Sequence, residues 1–523
     1  MAQTANMTES MSTGVVLFDR TPTDPTSVAI THDGASLSWE QLEHAARRFA
    51  QSLAGLGLRP GDAFGLLGRN SIGYAVAILG NAIAGTLYVP MNWHLNAEEL
   101  GYLLSDSGAK LILVDPGEHE LGQAAATAAG LDRVYTLEAD GSIEGAAVDG
   151  SGSGAFDPSR AVGMPLLYTG GTTGRSKGVV RSDFATTQVG DWPATSRRWA
   201  GFVRMPNDGT CLITTPIYHA FGYATLTAAL ATGNRVVLHD RFDPIDTLKT
   251  VERDRVTALP LVPTQIVRLL KLDDDARVID LSSLQWILHT AAPCPAWAKR
   301  ELIQWVGPIV VELYGSSEGG GPIVCTSEEW LDRPGTVGRP AAVVEAFIVD
   351  DDGNDVPNGD MGTLYFRRRD GAPTYHGDEE KTAAGRLADG RFTVGDIGWM
   401  DDDGYLYLAD RRVDLILRGG VNVYPREIEE VLVEHPAVTD AAVFGLPDDD
   451  MGQQVKAVVT LRSGQTDASI EAELIGWCRV RLAAFKCPTS IDVTGDLPRE
   501  ASGKLKKRLV RERYLASDTQ REG

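Results

Sequence analysis

Cysteine is scarce in this chain: Cys211, Cys294, Cys325, Cys478 and Cys487 make five among 523 residues, and no two stand as C-x-x-C. An odd, scattered set argues against a disulfide frame or a zinc site and leaves reduced, buried, inert thiols as the expectation. Basic residues are short as well, 49 against 71 acidic, and the net charge of −22 opposes loose association with nucleic acid or anionic lipid. Any nucleotide must therefore be held locally. Long apolar runs are missing. The most apolar stretch, 72–90, is interrupted by Gly73, Gly80, Asn81 and Gly85 and closed by Pro90, which suits a buried helix feeding a strand rather than a membrane span. The first fourteen residues have neither the basic start nor the apolar segment of a signal peptide, so a cytoplasmic location is expected.

What the chain does have is material for large cores, 43% hydrophobic residues, and a length that divides into about three or four folding units. Its most informative stretch is Tyr168-Thr169-Gly170-Gly171-Thr172-Thr173-Gly174-Arg175-Ser176-Lys177-Gly178. Glycines let backbone N–H groups turn inward without a Cβ in the way, while hydroxyls and one ammonium add donors toward negative charge. A loop that wraps phosphate oxygens needs this composition; a bland turn does not need three threonines and a lysine. It is not a Walker loop, since Ser176 precedes Lys177 and Gly178 follows it, and no G-x-G-x-x-G opens a helix. Apolar residues 164–168 read as a strand before the loop, and Val179 and Val180 begin another.

Strand-like and helical runs alternate through most of the chain. Residues 28–31, an Asp33-Gly34 turn and 35–37 read as a hairpin, and Ser38 with Gln41 forms a capping box opening a helix whose apolar face is Leu42, Ala45, Phe49 and Leu53. Further strands are expected at 110–114, 210–214, 235–238 and 309–313, with helices at 246–255 and 264–272 between several of them. Such alternation implies parallel sheets faced by helices. Residues 140–158, rich in Gly, Ser, Ala and Asp, read as a surface connection. Toward Asp410 the character changes to short antiparallel strands, 364–367 and 405–408. Beyond it, helices at 425–434 and 469–483 and strands at 441–445 and 455–461 make a compact α+β unit of about a hundred residues. No internal repeat is present.

The glycine loop closely resembles the phosphate loop of the adenylate-forming superfamily: acyl-CoA synthetases, peptide-synthetase adenylation domains and beetle luciferases. Other motifs follow in that superfamily's order over nearly the whole chain. They are Pro216-Ile217-Tyr218-His219, Tyr314-Gly315-Ser316-Ser317-Glu318, Thr393-Val394-Gly395-Asp396, Asp410-Arg411, 419–429 beginning Gly419-Gly420-Val421-Asn422, and 497–504 ending Ser502-Gly503-Lys504. The resemblance implies an α/β fold. A large N-terminal domain, 1–410, holds parallel-sheet α/β subdomains and a small distorted β-barrel; a small mobile α+β C-terminal domain covers 411–523.

It also implies a reaction: ATP couples a carboxylic acid to AMP with loss of pyrophosphate, and the acyl group then passes to a thiol. Thr169, Gly170, Gly171, Thr172, Thr173, Gly174 and Lys177 then hold the departing phosphates, with Thr173 among the catalytic groups. Lys504 bridges carboxylate and α-phosphate, and Glu318 ligates Mg²⁺. Asp396 accepts from the ribose hydroxyls, Arg411 assists, Tyr314 and, opposite, Ala291 and Ala292 flank the adenine, and Gly315 and Ser317 are further cofactor-binding residues. His219 gates the acyl entrance, and Gly419 and Gly420 line the path for the pantetheine of coenzyme A. Read without the resemblance, Lys504 is one of several solvated lysines in a basic tail, Asp396 a turn residue, Arg411 a surface ion pair, Tyr314 and His219 packed rings, and Glu318 a solvated carboxylate. The chain departs from the superfamily's pattern at Gly170 (usually Ser), at Ser176 (usually Pro), and at Val413, where Asp or Lys usually stands and where the hinge is expected.

Small residues around the acyl site, Gly319, Gly320 and Gly321 with Ala220, Gly222 and Ala224, favour a bulky or extended apolar acid, as in fatty acid metabolism; the glycines also read as serving the turn alone. No residue can be assigned as an amino-group anchor. The residues after Lys504 are too few for a fused carrier domain, so an ATP-dependent acid:CoA ligase is expected, with ATP, Mg²⁺ and CoA. The alternatives are a freestanding ligase loading a separate carrier protein and a non-catalytic ATP-binding regulator. No macromolecular partner is expected beyond self-association as a homodimer.

Overall fold

The computed structural model describes residues 24–146, 157–169, 176–181, 186–369, 371–448, 450–462, 469–499 and 504–519. By its contacts the chain forms two units, one of residues 1–241 with 256–258, the other of 242–255 with 259–523.

In the first unit, the hairpin forms as its sequence requires. Strands Val28–His32 and Ala35–Ser38 are antiparallel, joined through Asp33 (φ 51°) and Gly34 (φ 81°). Ser38 Oγ accepts from the Gln41 N–H at 3.2 Å and Gln41 Oε1 from the Ser38 N–H at 2.9 Å, starting the helix Trp39–Gly55. Its buried side is Trp39, Leu42, Ala45, Ala46, Phe49 and Leu53. The apolar stretch after residue 72 is the helix Ile72–Ala84 followed by the strand Leu87–Met91. Gly80 lies inside that helix because a Cβ there would stand 2.6 Å from Phe49 and 2.7 Å from the Ala46 carbonyl, so the glycine permits close packing of the two helices. Five parallel strands follow in the order Val134–Thr136, Ile112–Val114, Ala63–Leu67, Leu87–Met91 and Met164–Pro165. A second parallel set joins Val28–His32 to Arg235–Leu238 and Thr210–Ile213. Among the described residues no helix is long and apolar enough to cross a membrane. All five cysteines are free and buried.

Beyond the strand Ile112–Val114, Asp115 Oδ2 accepts the Arg69 N–H at 2.8 Å, and Gly68 stands so close that a Cβ would meet that oxygen at 2.3 Å. Burial pushes the Asp115 pKa up to about 7; the Arg69 N–H opposes the shift and the Glu118 charge adds to it. The folded value lies above the unfolded carboxylate's ~4, so the native state holds more protons across that window. The group's contribution is therefore complete below about pH 4 and lost as pH rises through 7. Asp115→Asn keeps an acceptor for Arg69 and removes the buried charge. Its melting midpoint is expected to exceed that of the parent at pH 8 and to converge with it near pH 4; a constant gap across this range would exclude the buried-carboxylate account.

The second unit begins parallel and turns antiparallel. Strands Trp286–His289 and Val310–Tyr314 run parallel, with the helix Ala296–Val306 between them in sequence. Antiparallel strands then follow in the order Ile323–Thr326, Thr336–Pro340, Leu406–Arg411, Phe392–Met400, Gly362–Arg368 and Val344–Val349, bent by register shifts at 336/338, 363/365 and 397/398. Their core is Ile323, Val337, Val344, Ile348, Leu364, Phe366, Phe392 and Leu406.

The C-terminal part is built on a long hairpin, Val438–Asp448 with Gly452–Leu461, joined in parallel by Ser490–Thr494. Its period-two pattern gives two cores. Ala441, Val443, Val455, Ala457 and Val459 pack beneath the helices Pro425–Val433 and Ile470–Arg481, while Ala442, Phe444, Leu446 and Val458 meet Leu497 and Val510, the latter on the helix Lys507–Thr519. Fully burying each Val, Leu or Phe side chain among these contributes on the order of 2 kcal/mol.

Candidate active site

The strands on either side of the glycine-rich stretch pair with each other. Leu167–Thr169 pairs with Lys177–Val180, and Thr169 stands opposite Lys177 at the base. Tyr168 Oη donates to Asp106 at 2.7 Å and Tyr102 Oη to the Ser176 carbonyl at 3.1 Å, which ties the hairpin to the helix Ala97–Asp106. Gly170, Gly171, Thr172, Thr173 and Gly174 lie outside the described residues. His219 is the N-cap residue of the helix Ala220–Ala231, half-buried, with its ring 4.6 Å from that of Tyr218. The segment before it is held by Asn70, whose side chain donates to the Thr215 and His239 carbonyls and accepts the Ile217 N–H at 2.8 Å. Thr169, Lys177 and His219 all belong to the first unit.

In the second unit, Tyr314 ends one parallel strand and Ala291 and Ala292 follow the end of its neighbour, so both stand at carboxyl ends, where α/β sheets bind ligands. Ala291 has φ +77°, a conformation that costs a residue with a Cβ on the order of 1 kcal/mol. Tyr314 Oη donates to Asp396 Oδ2 at 2.5 Å. Arg411 lies across the sheet from Asp396 in register, its Nε 3.4 Å from Oδ1. The Asp396 carboxylate is thus buried and gripped from both sides. Burial pushes the Tyr314 phenol far up, and the Asp396 charge adds to it. Burial works against the Arg411 cation, yet Asp396, Glu318 and Asp414 outweigh it and hold the guanidinium above its ordinary value. The Tyr314 ring has Phe366 stacked 6.3 Å away at 29°.

Glu318 rides on a loop that fastens itself. The Ser316 N–H reaches the Gly320 carbonyl at 2.9 Å, the Gly319 N–H the Ser316 carbonyl at 2.9 Å, and the Gly320 N–H the Ser316 Oγ at 3.0 Å. The glycines here have backbone and packing reasons: a Cβ on Gly320 would crowd Phe366, Ser316 and Val394 at 3.1 Å, and one on Gly321 the Tyr314 carbonyl at 2.7 Å. Gly222 is comparable, with the Pro216 carbonyl 2.2 Å from its Cβ position. Of the two explanations open for these glycines, the structural one has the support. They are no measure of acyl-pocket volume.

Gly419 and Gly420, at φ 57° and 77°, turn the hairpin Ile416–Arg418/Val421–Val423, and the Gly419 N–H bonds the Met451 carbonyl at 2.7 Å. Lys504 is half-buried. Arg499 and Leu505, on either side of it in sequence, form an antiparallel bridge, and Arg499 grips the Asp440 carboxylate through Nε at 2.6 Å and a second, shorter contact. The Lys504 charge reaches Asp414: burial raises that carboxyl's pKa, Asp410 adds to the rise, and Lys507, Arg411 and Lys504 oppose it. Ala501, Ser502 and Gly503 lie outside the described residues.

Two family models match the chain, the AMP-binding enzyme over residues 17–376 and the AMP-binding enzyme C-terminal domain over 427–504. A feruloyl-CoA synthase of Amycolatopsis sp is 34% identical over 499 residues, 94% of this chain and 96% of that protein. A 3-[(3aS,4S,7aS)-7a-methyl-1,5-dioxo-octahydro-1H-inden-4-yl]propanoyl:CoA ligase of Mycobacterium tuberculosis is 34% identical over 511 residues, 93% and 96% of the two chains. Among solved structures, ATP-bound MatB from Rhodopseudomonas palustris superposes with a TM-score of 0.80 at 31% identity, covering 95% of this chain and 97% of that one. The chain belongs to the AMP-binding enzyme family. It is an adenylate-forming ligase, with that family's mixed α/β architecture and its C-terminal domain.

Asp396, Arg411, Gly419 and Gly420 of this ligase fall in the segment between the two matched regions. Sequence reasoning missed several members of the site. Tyr375 is one: burial raises its phenol pKa to about 12, and the Glu318 charge contributes. No motif carries it. Lys507 is another, read as part of a solvated basic tail; its side chain is 14% exposed and pairs with Glu429 at 3.0 Å. Burial acts against the Lys507 cation, but Glu429, Asp410 and Asp414 hold its pKa up. Asp410 itself caps the helix Pro425–Val433 by accepting the Arg426 N–H at 2.9 Å.

Proposed function

We propose that this ligase joins a ring-bearing or otherwise bulky apolar carboxylic acid to coenzyme A in two steps at one nucleotide site. The observation that carries the proposal is the Asp396 carboxylate, buried between the Tyr314 hydroxyl and the Arg411 guanidinium with the Glu318 charge beside them. An acceptor-only group so held suits the two ribose hydroxyls of ATP. In the first step a carboxylate oxygen attacks the α-phosphorus, the bond from that phosphorus to the oxygen it shares with the β-phosphate breaks, and pyrophosphate leaves. Lys504 sits between the two anions. In the second step the CoA sulfur, its proton lost, attacks the acyl carbon and AMP departs.

Glu318 is the residue to hold Mg²⁺. No group of three or more acidic, histidine or cysteine side chains gathers among the described residues, which fits an ion that keeps waters and phosphate oxygens and takes one carboxylate. When bound, Mg²⁺ supplies charge neutralisation at the phosphates. The two steps need the C-terminal part, 411–523, to turn relative to 1–410. The contacts such a turn exchanges are Lys271 Nζ on the Val438 carbonyl at 2.5 Å, Asp410 on the Arg426 N–H, and the Asp410 charge near Lys507.

The substrate class rests on the two relatives named for ring-bearing acyl groups and on Ala220 and Ala224 beside His219. Incubation with ATP, Mg²⁺, CoA and a panel of aryl, polycyclic and fatty acids is expected to give AMP and acyl-CoA in equal amounts, fastest with ring-bearing acids. ADP as product, or adenylate formation with no acyl-CoA, would overturn the assignment. With the best acid, His219→Ala is expected to raise the acid KM about tenfold and leave the ATP KM unchanged; a change confined to ATP would remove His219 from the acyl entrance.

A further inference from the structure

Beneath the nucleotide platform lies a charged cluster that none of the steps above employs. Lys299, on the helix Ala296–Val306, donates to Glu312 Oε2 at 2.5 Å; their side chains are 1% and 11% exposed. Glu312 is in register with His289 on the neighbouring strand, whose Nε2 stands 3.9 Å from the same oxygen. The His289 ring is wholly buried, and neither of its nitrogens has a hydrogen-bond partner among the described residues. Burial holds its pKa down at about 4, so it is neutral at working pH. Burial opposes the Glu312 carboxylate, but the Lys299 charge and its hydrogen bond outweigh this and hold the pKa below its ordinary value.

Such a pair is poorly explained by stability. Apolar side chains of the same volume commonly do as well or better in a core. Its place in the fold is more informative. Glu312 and Tyr314 are two residues apart on one strand and so share a sheet face. His289 is two residues before Ala291, whose positive φ must be held by what surrounds it. One ion pair therefore links the helix to the strand that carries Tyr314, and its third member lies under the turn that carries Ala291 and Ala292.

The geometry points to Lys299, Glu312 and His289 as positioning residues that set the spacing between the Tyr314 ring and the Ala291-Ala292 turn, and through it the affinity for ATP. The inference rests on the reading of those two segments as the adenine platform. None of the three touches substrate.

The test uses the double variant Lys299→Met/Glu312→Leu, which removes both charges and orphans neither, together with His289→Leu. ATP binding is measured by calorimetry, and KM for ATP and kcat in pyrophosphate exchange, with melting midpoints recorded for each protein. For the double variant, Kd and KM for ATP are expected to rise at least tenfold, with kcat at saturating ATP within twofold and no loss of melting midpoint. For His289→Leu a threefold to tenfold rise in the same two constants is expected. Unchanged ATP affinity in either variant, or a kcat loss that tracks a fall in melting midpoint, would overturn the proposal. Should the double variant not fold, His289→Leu decides. A parent protein that binds no ATP overturns the nucleotide site itself; a parent that binds ATP alongside variants that bind it equally overturns only the network.

Discussion

Lys504→Ala is expected to lower ATP–pyrophosphate exchange by at least about 10³-fold while leaving acyl-CoA formation from a supplied acyl adenylate within a few-fold of the parent rate. Removing one neutral donor from a developing anion costs about 10²–10³ in rate, and a full positive charge between two anions is worth no less. The second half-reaction carries no such encounter, because the acyl adenylate already has its phosphate esterified and the incoming nucleophile is sulfur. A merely structural lysine would depress both steps together. Lys507→Ala supplies the contrast. It leaves Glu429 buried without its cation, so the melting midpoint and both half-reactions fall in parallel. Equal losses in the two half-reactions of Lys504→Ala would withdraw the bridging role from this residue.

The difference between the two lysines shows what the sequence exposes and what it hides. Both stand in the same basic stretch, 504–508, and composition separates them no further. Lys504 is picked out by the motif that precedes it. Lys507 becomes distinct only when the helix Lys507–Thr519 packs on the hairpin and brings its ammonium to Glu429, far away in the chain. The same divide runs through the fold. The Asp33-Gly34 hairpin, the Ser38–Gln41 capping box and the buried helix of 72–84 depend on neighbours within a few residues, and period, turn chemistry and capping make them legible. Element ends were legible to within a few residues, as with the strand expected at 309–313 and found at Val310–Tyr314. The bonds that build the site are long-range. Tyr314 and Asp396 are 82 residues apart in sequence, and nothing in either segment names the other. Nor does any local pattern mark Asp115, Tyr375, His289 or Glu312, whose ionisation depends on which groups the sheets bring together. The glycines after Glu318 are a third case: their presence is plain, but whether they make room for a substrate or for Phe366 and the Tyr314 carbonyl is decided by packing.

Asp396→Ala is expected to reduce kcat/KM for ATP by about 10²-fold, with the acid and CoA constants little changed. Hydrogen bonds to a charged acceptor contribute about 1.5–3 kcal/mol each, and every 1.4 kcal/mol is tenfold, so losing two toward the ribose accounts for a hundredfold or more. Part of the loss arises inside the protein, since the alanine also leaves the Tyr314 hydroxyl and the Arg411 guanidinium without the carboxylate that holds them. A double-mutant cycle separates the two contributions. Tyr314→Phe removes the internal hydrogen bond and keeps the ring against Phe366. If Asp396 acts on the ribose directly, Tyr314→Phe alone costs less than tenfold, and Asp396→Ala costs nearly as much in the Tyr314→Phe background as in the parent, because the ribose bonds are lost in both. If instead Asp396 serves only to hold Tyr314, the second substitution adds nothing to the first, and the coupling energy equals the whole effect of the carboxylate. AMP binding read in the same four proteins keeps the comparison independent of turnover, and an undiminished AMP affinity in Asp396→Ala would exclude the ribose as its partner.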